Sequence, residues 1–510
     1  MKKNQIKIGA ILSYIALAVT NIVGLVYTPF MVRIMGQSEY GLYSLVSSIV
    51  AYLSILDLGL GNAIVVYVAK SIAKGDKKEE KKLNGMFIIV YSIIGIIVLV
   101  AGLILYFNID NMFQNTMSVE ELVKAKIMVM LLVINLAVSF PMGVFGSILT
   151  AYEEFIVPKI ITIVRSILMP CIMLPLLLMG YRSITMVVVN VTLNILCLIF
   201  NMIYCFKKCK IQFNFKGFDM NLIKEIFKYS FFIFLSIIID KINWNVDQLI
   251  LGSVSGTVAV AVYGVASQFN NIYLGFSTAI SGVLLPKITK MVQAKASDQE
   301  ISEEFVKTGR IQYLIMALII TGFLLFGKEF IMMLFGNEYE ASYYIACILM
   351  VPVTIPLIQN VGVNILQAKE KHKFRTIIYL IIAILNILVS IPLAKAYGGL
   401  GTAIGTAISL ILGNGIIINW YYHSKIHIDI PAFWKQILKM SVPVLLIFGA
   451  GYILRTAIIP NRFIILLAEI VCYSLVYIFI MWNFAMNQYE KELVRTPIRK
   501  ILRKKKEEGL

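Results

Sequence analysis

Two sequence echoes recur at nearly one offset, and together they require a chain built twice. GQSEYGLY (Gly36 to Tyr43) returns as GTVAVAVY (Gly256 to Tyr263), 220 positions later, with glycine and tyrosine seven residues apart in both. ILTAYEEFIVPKI (Ile148 to Ile160) returns as ILQAKEKHKFRTI (Ile365 to Ile377), 217 positions later. Each echo lies where one long apolar run gives way to the next. Repeated bundles of apolar helices leave a path between the copies, so the pattern points toward transport.

The apolar runs decide the fold class. Charged residues make up 15% of the chain, hydrophobic residues 59%, and mean hydropathy is +0.84. Soluble domains carry about 25% charged residues, so this chain has too little polar surface to face water all round. A helix crosses about 30 Å of hydrocarbon with about 20 apolar residues. Fourteen segments qualify: 8–32, 40–69, 85–107, 124–150, 155–179, 183–206, 222–246, 257–286, 310–327, 341–368, 374–396, 399–422, 434–454 and 463–484. None alternates as a membrane β-strand does. The expected class is therefore an all-α polytopic membrane protein of about fourteen helices, in two parallel-repeat six-helix lobes plus two C-terminal helices. The boundaries are 1–210, 211–427, 428–486 and a basic tail, 487–510. The segment 328–336 (GKEFIMMLF) reads as a short interfacial or re-entrant piece. The first run is too long for a signal core and is expected to remain an uncleaved helix.

Net charge is +18, and its distribution sets orientation. With the N-terminus in the cytoplasm, fourteen spans gather most of the 46 Lys and Arg residues on inner segments. These include Lys70 to Lys82, Lys207 to Lys216, Lys369 to Arg375, and the tail from Arg499 to Lys506. The positive-inside rule then places both termini in the cytoplasm, with anionic lipids as partners of the basic face, and the lysine- and isoleucine-heavy composition points to a bacterial cytoplasmic membrane. No aromatic-interleaved basic motif suggests nucleic acid. His423 and His427 have metal-ligand spacing but lack a third ligand nearby, so no metal is expected. The six cysteines show no CxxC pair and read as free thiols. P-loops, HExxH, GxSxG and dinucleotide fingerprints are missing, so neither a cofactor nor an enzymatic activity is expected. Gly401 and Gly405 form a GxxxG pair suited to helix packing.

Charges inside spans are the sharpest functional signal, since each costs about 2.5–3.5 kcal/mol at a helix centre unless a partner or a wet cavity receives it. Arg165 lies midway along the fifth span. Its guanidinium suits bidentate binding of a phosphate or diphosphate; the alternative is an internal ion pair. Asp57 lies in the second span, followed by Gly59, Gly61 and Asn62, which suggest a loosened helix. Its carboxylate suits pairing with Arg165, or carrying a proton or sodium ion. Asp240, Lys241, Asn243 and Asp247 give the seventh span a polar face, suited to lining a cavity. Asp247 is assigned with Asp57 to ion coupling or gating, and headgroup placement of Lys241 and Asp247 is the alternative. The amides Asn135, Asn190, Asn194, Asn270, Asn271, Gln359, Asn360 and Asn364 read first as interhelical hydrogen-bond formers. Pro141, Pro170, Pro352 and Pro356 mark kinks.

YTPFMVRIMGQSEYGLYSLVSSI (Tyr27 to Ile49) and VDQLILGSVSGTVAVAVYGVAS (Val246 to Ser267) resemble the oligosaccharide flippases of the polysaccharide-biosynthesis branch of the MOP exporter superfamily. LTAYEEFIVPKI and its echo LQAKEKHKF are similar to that family's loop between consecutive spans, and the resemblance covers essentially the whole chain. It implies two six-helix lobes around a central cavity, opening alternately. It further implies an undecaprenyl-diphosphate-linked oligosaccharide carried to the outer leaflet for surface polysaccharide. Cationic residues would hold the diphosphate, with Arg165 the first candidate and Arg33, at the outer mouth, the second. A proton or sodium gradient, or the membrane potential, would drive the cycle. The rivals are a lipid II or multidrug exporter of the same superfamily, and a membrane glycosyltransferase or polymerase. At the repeat offsets Arg165 falls opposite Ile382 and Asp57 opposite Ser277, so the expected chemistry is concentrated in the first copy.

Overall fold

The computed structural model describes residues 2–216, 220–369, 371–457 and 462–496, and every regular element among them is helical. In chain order the α-helices are Lys2–Met35 (α1), Gln37–Leu53 (α2), Leu60–Lys74 (α3), Lys77–Phe113 (α4), Val119–Ala151 (α5), Ile156–Leu178 (α6) and Ser183–Cys209 (α7). Then follow Met220–Gln293 (α8), Asp298–Phe335 (α9), Glu340–Ile358 (α10), Val361–Ala368 (α11), His372–Leu410 (α12), Asn419–Ile426 (α13), Ile430–Ala457 (α14) and Phe463–Phe484 (α15). Twelve helical stretches among the described residues are long and apolar enough to cross a membrane, and the chain is a multi-pass membrane protein.

Fourteen counts apolar segments, whereas twelve counts qualifying helices. The two differ partly because one stretch, Phe374–Ile426, carries two of the segments. It is divided at Gly398, and α8 is divided at Gly256; both glycines hold positive φ. The segment 328–336 is not a separate re-entrant piece: α9 continues through it to Phe335. Its apolar residues continue the helical face of the preceding turns, so nothing interrupts the ladder.

Two compact units make up the chain. The first comprises Met1–Gly264 and Asn386–Thr402, the second Val265–Leu385 and Ala403–Leu510. In lipid, burial of apolar surface does little to join helices, so close packing and hydrogen bonds must do so. Along α4 and α5 the close approach is made by glycine. A Cβ on Gly95 would stand 2.7 Å from the Ala137 carbonyl oxygen, and one on Gly102 2.2 Å from the Val133 side chain. Phe87, Tyr91, Phe140 and Phe145 fill the core of this unit.

In the second unit, α14 and α15 pack on α9 through Phe326, Met440, Tyr473 and Tyr477. Ion pairs brace both ends of that packing. Arg310 of α9 donates from Nε to Glu490 at 2.6 Å and from Nη2 to its other oxygen at 3.0 Å, with the pair buried. Arg455 meets Glu329 at 2.6 Å and Glu469 at 3.1 Å. An apolar groove of about 890 Å³ lies along α14 and α15, with Lys439 and Arg455 among its few polar residues.

The duplication is visible in individual contacts. Gly36 (φ 82°, ψ 167°) and Gly256 (φ 79°, ψ −175°) share a backbone conformation that is essentially restricted to glycine. In the first copy, Tyr152 after α5 donates to Glu80 of α4, while Glu154 lies 4.0 Å from Lys208 of α7. Burial, then the bond to Glu80, pushes the Tyr152 phenol up to about 12, so it remains a donor at neutral pH. In the second copy, Lys369 donates to Asp298 at 2.7 Å, and Lys371 to the Lys425 carbonyl oxygen at 3.3 Å. Lys369, Lys371 and Lys425 stand 217 positions after Tyr152, Glu154 and Lys208. Equivalent loop positions make contacts in both copies with different side-chain chemistry, and Asp298 stands 218 positions after Glu80, one past the offset.

Candidate functional site

Arg165 is half-buried midway along α6. Its Nη1 donates to Asn194 Oδ1 and its Nη2 to Asn190 Oδ1, each at 2.9 Å. Asn190 and Asn194 are one turn apart on α7 and so present their side chains on one face. The Asn194 amide nitrogen in turn donates to Asn135 Oδ1 at 3.0 Å and Ser139 Oγ at 2.9 Å, themselves one turn apart on α5. One guanidinium on α6 is thus tied to α7 directly and to α5 through Asn194, and among the described residues no carboxylate pairs with it. The amides take one N–H from each terminal nitrogen, two of its five donors, and leave its charge uncompensated.

Asp57 does not pair with Arg165. It ends a 3₁₀ turn, Ser54–Asp57, after which Leu58 (φ 53°) and Gly59 (φ 71°) take left-handed conformations and α3 begins. The interruption turns the backbone N–H groups of Gly59 and Gly61 toward its carboxylate, and Tyr91 of α4 donates to Oδ1 at 2.8 Å. The sequence glycines therefore mark a broken helix whose new N-terminus faces an acid. A bulky residue held left-handed at Leu58 is strained backbone of the kind that gathers at functional sites.

Asp247 is buried and accepts from Tyr263, the tyrosine of the second glycine–tyrosine echo. Lys241 is half-buried and has no ion-pair partner among the described residues, and Arg33 is exposed near the end of α1. The side chains of Asp240 and Asn243 lie outside the described residues. The amides Asn360 and Asn364 follow the interruption of α10 after Pro352 and Pro356, and both join helices. Asn360 donates to Ser277 at 3.2 Å and Asn364 to the Ser281 carbonyl oxygen at 2.9 Å. His427 ends α13 in a left-handed conformation (φ 62°), so it does not share a helix face with His423.

A second polar cluster has no signature in the sequence. Glu121, which closes a capping box with Ser118 at the start of α5, also accepts from Ser38 and Thr257 through Oε1, each at 2.7 Å. Beside it, a Cβ on Gly41 would stand 1.9 Å from the Thr257 carbonyl oxygen. Thr116 donates to the Gly252 carbonyl oxygen at 2.7 Å. Residues following both echo glycines therefore meet at a seam with no room for side chains. Sequence reasoning misses Ser139, Tyr91 and Glu121 because polar residues in apolar runs reveal partners only in three dimensions. The i, i+4 spacing of Asn190 and Asn194, near an intramembrane arginine, is the signal that could have found their role.

A family model described as "Polysaccharide biosynthesis protein" matches residues 7–292. A putative O-antigen transporter of Shigella flexneri is 22% identical over 419 residues, covering 79% of this chain and 94% of that protein. A probable low-salt glycan biosynthesis flippase of Haloferax volcanii is 24% identical over 257 residues, covering 50% of this chain and 53% of the relative. Among solved structures, the lipid II flippase MurJ in an inward closed conformation superposes with a TM-score of 0.69 at 20% identity, covering 93% of this chain and 99% of that one. An inward-facing multidrug resistance transporter of the MATE family, in the MOP superfamily, gives 0.64 at 14% identity, covering 83% and 99%. At these identities the structural matches establish the fold.

Proposed function

This chain belongs to the polysaccharide biosynthesis protein family, and from that premise we propose that it moves a lipid-linked oligosaccharide across the bacterial cytoplasmic membrane for surface polysaccharide. The lipid is a polyprenyl diphosphate, the direction is inner to outer leaflet, and the two lobes open alternately. Both termini lie in the cytoplasm, where the basic segments meet anionic headgroups. The relatives' descriptions as O-antigen transporter and glycan flippase support the substrate class.

The observation that carries this reading is Arg165: an intramembrane cation hydrogen-bonded by neutral amides, with no carboxylate among the described residues. A diphosphate brings the negative charge that the site lacks and accepts a guanidinium bidentately. Lys241 and Arg33 stand as further cationic contacts along the path, with Asp240 and Asn243 as polar ones. Asp57, at the break before α3, and Asp247, against Tyr263, are the groups for a coupling proton or sodium ion. A strain lacking the protein tests the function: it should accumulate polyprenyl-diphosphate-linked oligosaccharide facing the cytoplasm. Normal surface polysaccharide without accumulation would contradict the reading, and accumulation of lipid II instead would reassign the substrate.

A further inference from the structure

We infer that Asn194, with Asn190, Asn135 and Ser139, is a positioning set that holds Arg165 in one orientation while keeping its charge available to an anion. The inference rests on the proposed reading of Arg165 as the diphosphate contact.

The geometry fixes the direction of each bond. Asn194 can present its oxygen to Arg165 because its amide nitrogen is committed to Asn135 Oδ1 and Ser139 Oγ, at 3.0 and 2.9 Å. Asn190 holds the second terminal nitrogen at 2.9 Å. A long, flexible side chain is thereby anchored from two helices besides its own, and preorganisation reduces the entropy lost when a ligand binds. Aspartate is nearly isosteric with asparagine and would hold the same nitrogens more tightly through a charge-assisted bond. Amides at both positions give hydrogen bonds without neutralisation.

The chain's own second copy supplies an internal comparison. At the 217-residue offset, Asn135, Ser139, Arg165, Asn190 and Asn194 fall on Pro352, Pro356, Ile382, Ala407 and Ile411. Ile382 is buried, and its Cδ1 lies 1.9 Å from where a Cβ on Gly413 would stand. That site is packed with apolar atoms. Where the arginine is replaced, all four partners are replaced as well. Helix-joining amides with no connection to the arginine have no reason to disappear as a set.

The test uses the purified full-length protein in detergent, with farnesyl diphosphate as probe and farnesol as uncharged control. Asn194→Asp should still fold, because the new carboxylate pairs with Arg165 and the Asn135 amide and Ser139 hydroxyl can turn to donate to it in place of the lost Nδ2 donor. It should nonetheless weaken farnesyl diphosphate binding about tenfold or more, and flatten the loss of binding with added salt. Farnesol binding should not change. Asn190→Asp, facing the other nitrogen, should behave alike and carries the test if Asn194→Asp does not accumulate. If Arg165→Ala loses diphosphate binding while both aspartate variants keep it, the positioning inference is overturned and the diphosphate reading stands. If Arg165→Ala binds the probe as the wild type does, the reading of Arg165 itself fails.

Discussion

Gly36 and Gly256 hold the same backbone conformation 220 residues apart, φ 82° with ψ 167° and φ 79° with ψ −175°. Each opens a helix by a turn that a Cβ would strain. A residue forced into this region costs of order 1–3 kcal/mol. Gly36→Ala and Gly256→Ala should each lower stability by about that amount, measured by thermal unfolding in detergent. Gly143→Ala, with no atom within 4 Å of the added Cβ and ordinary helical φ, is the control expected to be nearly neutral.

The seam beside these glycines should resist bulk. A Cβ on Gly41 would stand 1.9 Å from the Thr257 carbonyl oxygen, so Gly41→Leu cannot be accommodated without separation there. Ser44 lies beside this seam, its Oγ 3.2 Å from where a Cβ on Gly264 would stand, and in intact cells Ser44→Cys should react faster with an impermeant thiol reagent when Gly41→Leu is also present. Unchanged labelling would show that the seam accommodates the added side chain without opening.

The two halves of the Asp57 contact should separate by effect. Tyr91→Phe removes one donor and should cost about 1 kcal/mol of stability. Asp57→Asn keeps an acceptor for Tyr91 but removes the charge. In reconstituted vesicles, its transport should lose dependence on an imposed ion gradient while protein abundance stays constant.

The buried Arg310–Glu490 pair predicts a larger structural effect. Glu490→Ala leaves the guanidinium with Gln436 and the Ala485 carbonyl oxygen but without a counter-charge. Breaking a buried pair from one side costs about 3–5 kcal/mol. The loss should appear as reduced thermal stability, and Arg310→Met with Glu490→Leu should recover much of it.

The architecture is legible in the sequence because long apolar runs, their glycine junctions and two echoes each follow from local chemistry. Membership in a helical, duplicated fold needs no long-range contact to be seen. The number of helices is less legible, since Gly256 and Gly398 bend helices that otherwise continue. The segment 328–336 misleads because lysine and glutamate look like a span boundary, yet α9 passes through them. Arg165 and Asp57 are identifiable from the cost of charge in hydrocarbon. Their partners are not: the attractive Arg165–Asp57 pair gives way to amides for one and a tyrosine with backbone N–H groups for the other. Opposite charges in one stretch of membrane do not reveal which helix faces they occupy.

Transbilayer movement of a polyprenyl-diphosphate-linked oligosaccharide by the purified full-length protein in proteoliposomes measures the central claim most directly. The wild type should move the lipid between leaflets, Arg165→Ala should abolish movement at equal reconstitution, and Arg165→Lys should restore only part of it because ammonium cannot bind bidentately. Wild-type rates from Arg165→Ala, or no movement by the wild-type protein with this substrate, would contradict the account.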